Sequence, residues 1–247
     1  MVRVGSADYS TRRKGLIRDS GQIDILQIGR TEDEPSGNVF RFDGSSWQTV
    51  NGNISVNGLD ERGVFDPGCG PNDLAVVSSS AVWVLHCSSE TDCSWSGPAT
   101  FPFTLSTKPF SDGDGTTVFM ASTGFEGEIW VANLCTDSIS FTKATLGGDV
   151  RSADSNASSV RLPDEILPTW LVFGGIGASD TQLYLWKLVQ TGATTFEWSK
   201  PAIATPEPYG IPIFAVGVWD ADQRRVWWRA ERYLSGTKTH RFRRPWA

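Results

Sequence analysis

The stretch KPFSDGDGTTVFMAS, residues 108–122, sets Asp112 and Asp114 among glycines just ahead of an apolar run. Short acidic side chains alternating with glycine are what a calcium loop uses to wrap a hard cation in oxygen ligands. The same residues also make a tight turn, because an Asp side chain accepts hydrogen bonds from backbone N–H groups two residues further on. A calcium loop needs more oxygen ligands and usually a later Glu, and GDGTTVFM supplies none locally. The turn reading therefore leads, and it expects no metal. A cation shared by several such turns, and a ring of ligand-binding carboxylates, are the alternatives.

Other residues able to do chemistry are sparse. The sequence holds no Gly-x-Ser-x-Gly elbow, no His-Glu-x-x-His, no phosphate loop and no dinucleotide fingerprint, so no cofactor is expected. His86 ends an apolar run just before Cys87, and His240 opens the last short one; both read as strand residues rather than bases. A glycosidase needs two carboxylates flanking a sugar bond. Asp66, Asp112, Asp164 and Glu165 could furnish them, although no local signature selects a pair. Arg241, Arg243 and Arg244 alternate with Phe242 as strand side chains do, with an anion site as the alternative. The formal net charge of −6 argues against a nucleic-acid partner, which demands clustered Lys and Arg. No apolar run approaches the roughly 18 residues of a membrane span.

Cys87 and Cys93 bracket SSETD, a spacing that a strand-connecting turn could close as a disulfide. Cys69 and Cys135 are then left as a second pair, one of three connectivities open to four cysteines. Four buried thiols is the alternative. Asn53-Ile-Ser55 and Asn156-Ala-Ser158 are glycosylation acceptor patterns in loop-like surroundings. MVRVGSADYS lacks an apolar signal core, so the protein is either cytoplasmic or has lost a leader. Cysteines and acceptor asparagines together favour a secretory or extracellular protein.

The elements that must position these residues recur. An apolar residue followed at once by an aromatic appears at Val39-Phe40, Val82-Trp83, Ile129-Trp130, Leu183-Tyr184 and Val226-Trp227. Upstream of each lies another apolar run (DILQIG, DLAVVSS, TVFMAS, TWLVFGG, IFAVGVW), and downstream an aromatic opens a further short run at Trp47, Trp95, Phe141, Trp198 and Phe242. The first run of each unit is followed by a turn, and Asp19, Asp66, Asp112 and Asp164 occupy matching places in four of them. Gly, Asp, Ser and Pro punctuate the runs, and no helical periodicity appears. Four short antiparallel strands per repeat of about 45 residues, with 11 tryptophans and 13 phenylalanines in the chain, predict an all-β fold, a single five-bladed β-propeller. The blades fall at residues 15–52, 63–104, 108–147, 160–203 and 207–247 of one domain covering residues 1–247. The repeated apolar-aromatic pair would pack between neighbouring blades, and Met1 to Tyr9 would pair with the last blade.

Repeats of this length and number resemble single-chain five-bladed propellers of the tachylectin type. LVFGG, LYLW and FEW in the fourth repeat are similar to a kelch repeat, and FDGSSWQTVNG is similar to a tectonin repeat of lectins. Those resemblances imply a propeller and suggest a sugar ligand. The loops after the second strands are RTEDEPSGN, SSSA, STGFEGE, GGIGASDTQ and WDADQRR, with no common polar set. A multivalent lectin gains avidity by repeating one site, so unlike loops favour a single site instead.

In size, cysteines, acceptor asparagines and unlike blades the chain also resembles the secretory fungal proteins that catalyse hetero-Diels–Alder coupling in tropolonic sesquiterpenoid biosynthesis. That resemblance implies a cofactor-independent pericyclase working by positioning alone. Arg18 would polarise a carbonyl, beside a pocket of Asp19, Phe65, Asp66, Phe110, Asp112, Asp164, Tyr209 and Trp219. The functional expectation is one site for an apolar or aromatic small molecule, with a carbohydrate-binding lectin and a propeller glycoside hydrolase as second and third readings.

Overall fold

The computed structural model describes residues 12–17, 21–28, 36–55, 63–78, 80–105, 109–111, 115–121, 128–149, 158–163, 165–174, 184–203, 211–220, 222–234, 237–240 and 244–246. Among the described residues every regular element is a β-strand, and the strands form five sheets in chain order. The first is an antiparallel meander of β1 (Arg12–Ile17), β2 (Ile23–Ile28), β3 (Ser36–Phe42) and β4 (Trp47–Ser55). The second repeats that topology with β5 (Gly63–Phe65), β6 (Leu74–Val77), β7 (Ala81–Cys87) and β8 (Cys93–Thr100). The third is shorter, with β9 (Phe110–Ser111), β10 (Thr116–Met120), β11 (Ile129–Asn133) and β12 (Thr142–Lys143).

The fourth sheet departs from the expected four antiparallel strands. It contains β14 (Ser158–Leu162), β15 (Thr169–Gly174), β16 (Tyr184–Gly192) and β17 (Thr195–Ile203), and a fifth strand, β13 (Thr145–Gly148), lies parallel to β17 on its outer side. A strand laid there satisfies backbone groups that β17 would otherwise present unpaired. Gly148 makes the approach feasible: its φ is +83°, and a Cβ would collide with the Trp198 carbonyl. In the fifth sheet β18 (Ile211–Asp220) pairs with β19 (Arg225–Leu234), which carries both β20 (Thr237–His240) and β21 (Arg244–Trp246) on its other side.

The chain divides into two compact units. In the unit built on the first two sheets, Val39 and Val50 pack with Val64, Leu74, Val76, Ala81, Trp83 and Leu85. Strands β5, β6 and most of β7 are buried on both faces, which is why GVF, LAVV and AVWVL read as unbroken apolar runs rather than alternating ones. Its last strand, CSWSGPAT, faces water along much of its length and is correspondingly polar. In the other unit Val118, Met120, Ile129 and Val131 pack with Trp170, Val172, Trp186, Leu188, Phe196 and Trp198. Trp186 and Trp198 meet edge to face with centroids 6.3 Å apart, a geometry favoured by the ring quadrupoles.

Several expectations about single residues change. Asn53 does not lie in a loop: it is inside β4, where Val50 and Ile54 pair with Val39 and Gly37, so residues 51–53 bulge opposite Asn38. The Asn-Gly-Asn sequence bends the strand without ending it. Trp95 and Trp198 sit inside β8 and β17 rather than opening them, because the polar residues ahead of each still pair. Asn156, Leu183, Phe242 and the Met1 to Tyr9 segment lie outside the described residues.

Candidate functional site

A set of polar side chains converges where the β5–β6 loop meets the β7–β8 turn. The loop, DPGCGPND, is rich in turn formers. Asp66 opens it as an Asx turn, its Oδ1 accepting the Gly68 N–H at 2.8 Å. Cys69 within the loop is joined to Cys135, with Cα atoms 5.1 Å apart. At its far end the Asp73 N–H donates to the Gly70 carbonyl, and Asp73 is 5% exposed.

Asp73 uses both carboxylate oxygens on the end of β7. Its Oδ1 accepts the Cys87 N–H at 2.9 Å, and its Oδ2 lies 3.4 Å from His86 Nδ1. On the other side of the ring, His86 Nε2 lies 3.2 Å from Ser96 Oγ. Register explains the meeting: Leu74 pairs with Leu85, which sets Asp73 beside His86, while Val84 pairs with Ser96 and His86 with Ser94. His86 and Ser96 are thus diagonal neighbours on one face of the sheet. The Cys87–Cys93 disulfide closes the turn between their strands.

A buried cation fixes this end of the sheet. Arg41 on β3 is 2% exposed, and its Nε donates to Asp24 Oδ1 on β2 at 2.7 Å. Its Nη2 also donates to the Asn72 carbonyl at 2.6 Å, and its Nη1 to the Glu90 carbonyl. One guanidinium fork therefore ties the first sheet to the loop before Asp73 and to the turn after His86. Arg suits this task because its donors lie in one rigid plane.

The structure describes only part of the expected site. Phe65 ends β5 and is 4% exposed, and Asp66 follows it directly. Phe110 stands in β9 opposite Val118, and Trp219 in β18 opposite Val226. Arg18, Asp19, Asp112, Asp164 and Tyr209 lie outside the described residues. Glu165 pairs with Lys187 at 3.2 Å on the surface, and His240 stands in β20 opposite Glu231. Among the described residues no three His, Cys, Asp or Glu side chains converge as a metal site would require.

Sequence reasoning overlooked Asp24, Arg41, Asp73 and Ser96. A signal existed for two of them. Counting back through the β6–β7 and β7–β8 hairpins from His86 leads to Asp73 on one side and Ser96 on the other.

No protein-family model matches the chain, and no curated protein does. Among solved structures, NanB together with Optactamide matches 95% of this chain at a TM-score of 0.55 and 12% identity, over 46% of its own length. The chain thus spans about half of that structure. At this identity the likeness is one of fold, and it makes the all-β arrangement propeller-like. Neither kind of comparison supports the resemblance to hetero-Diels–Alder-forming proteins. Among the described residues no helix is long and apolar enough to cross a membrane.

Proposed function

We propose that the chain is a five-bladed β-propeller that binds one small molecule at the β5–β6 loop. In this reading the five sheets are the blades, near residues 15–52, 63–104, 108–147, 160–203 and 207–247. Asp66 would meet the ligand, with Phe65 at the end of β5 as its apolar neighbour. Five sheets in chain order and the likeness of fold to NanB plus Optactamide support it. The observation that carries it is the β5–β6 loop: a built turn around Asp66, anchored by a disulfide and by Arg41. Rigidly held polar groups are what a binding site needs to avoid ordering costs on association. The two disulfides favour folding in an oxidising, secretory compartment.

A sugar is the second reading for the same site, favoured by the carboxylate of Asp66, which can accept hydrogen bonds from sugar hydroxyls. Native mass spectrometry against aromatic small molecules and free monosaccharides tests both. One bound aromatic molecule per chain, lost in Asp66→Asn, supports the first; the Asn side chain keeps the turn's acceptor and removes only the charge. One bound sugar lost in the same variant supports the second. Several equivalents of one sugar per chain would replace the single site by a lectin.

A further inference from the structure

We propose that Asp73, His86 and Ser96 form a nucleophilic relay that hydrolyses carboxylic esters. The three groups follow the order that serine acyl transfer requires: a carboxylate against one ring nitrogen, a hydroxyl against the other. Asp73 Oδ2 is 3.4 Å from Nδ1, and Ser96 Oγ is 3.2 Å from Nε2. The carboxylate is the most shielded of the three groups. The Asp73 side chain is 7% exposed and that of His86 29%, and Ser96 is partly buried, so the carboxylate is shielded while the other two keep partial access to solvent.

Asp73 also accepts the Cys87 N–H, which fixes the carboxylate while its second oxygen orients the ring. A proton on Nδ1 facing Asp73 leaves Nε2 as the acceptor for the Ser96 hydroxyl. The hydroxyl has a second acceptor in the Val84 carbonyl at 3.4 Å, so His86 is the nearer of the two. Neighbouring backbone holds Ser96 in place: Gly97 has φ +103°, and the register shift between Val82 and Val84 falls beside it.

The reaction balances as follows. Ser96 Oγ forms a bond to the ester carbonyl carbon while its proton passes to His86 Nε2. The C–O bond to the leaving alkoxide breaks, and the imidazolium returns the proton to it, releasing an alcohol. Water, losing a proton to His86, then attacks the acyl-serine and releases a carboxylic acid, restoring the hydroxyl. His86 and Ser96 touch the reacting atoms; Asp73 is a positioning residue.

The test is labelling of the full chain with an alkyl fluorophosphonate, which loses fluoride as a serine oxygen bonds to phosphorus, followed by peptide mass spectrometry. The expected result is one adduct, on Ser96. It disappears in Ser96→Ala, persists in Ser94→Ala, and forms roughly 100-fold more slowly in His86→Asn. Asp73→Asn lowers the inactivation rate constant without changing apparent probe affinity, and Asp73→Glu restores part of it. Hydrolysis of 4-nitrophenyl butyrate follows the same pattern. No adduct on the wild-type chain, an adduct elsewhere, or labelling indifferent to His86 would overturn the proposal. The wild-type adduct position is decisive without any variant having to fold.

Discussion

Arg41 and Asp24 form an ion pair 2.7 Å long with both side chains all but removed from water, at 2% and 1% exposure. Two buried charges hold together only while both are present, because either alone meets a large desolvation cost. The surplus donors of Arg41 are taken by the carbonyls of Asn72 and Glu90, so the pair is also a joint among four backbone segments.

Replacing Arg41 by Ala should therefore destabilise the protein by about 3–5 kcal/mol, since it strands the Asp24 carboxylate. Arg41→Met combined with Asp24→Leu should recover much of that loss. Urea unfolding of wild type and the two variants checks it, and an Arg41→Ala midpoint equal to wild type would refute the clamp.

The two disulfides should differ in worth. On loop-closure entropy the Cys69–Cys135 bridge, spanning 66 residues, contributes about 4 kcal/mol, and the Cys87–Cys93 bridge, spanning 6, about 2 kcal/mol. Paired Cys→Ser variants compared by denaturant unfolding should show that order.

Gly97→Ala should cost about 1–3 kcal/mol, because φ is +103° and a Cβ would sit 2.9 Å from the Val82 carbonyl oxygen. Thermal unfolding measures the loss. The same variant should lose fluorophosphonate labelling at Ser96 if backbone geometry there holds the nucleophile.

Asp43 is the pH-sensitive element of the β3–β4 turn. The Ser46 N–H, then the Ser45 N–H and hydroxyl, hold its carboxyl well below the usual carboxylate range. A depressed folded value means the turn's stabilisation is complete above the ordinary Asp pKa and disappears as pH falls through the folded one. Carboxyl chemical shifts followed during an acid titration should show Asp43 protonating after the ordinary aspartates, and Asp43→Asn should remove that late step.

Strand content was legible because apolar runs such as LAVV and AVWVL are bounded by turn residues on both sides. The repeat exposed the order of elements for the same reason. Edge pairing was not legible: TLGG reads as the end of one unit, yet it joins the next sheet, since a short segment takes its partner from tertiary proximity rather than from its own pattern. Asp66 could be read as a turn because its hydrogen bond is local. The Asp24–Arg41 pair could not, because the partners are 17 residues apart and nothing in either segment marks them as buried. His86 does lie in a strand, and Asp73 and Ser96 could be reached only by counting through the hairpins on either side of it.

The strand Thr145–Gly148 has one more consequence. A bare outer strand is a template on which a second molecule can add its own, the first step toward fibrils at high concentration. Here the protein has already supplied that addition from its own sequence, and a four-residue ledge is a poor platform for continued growth.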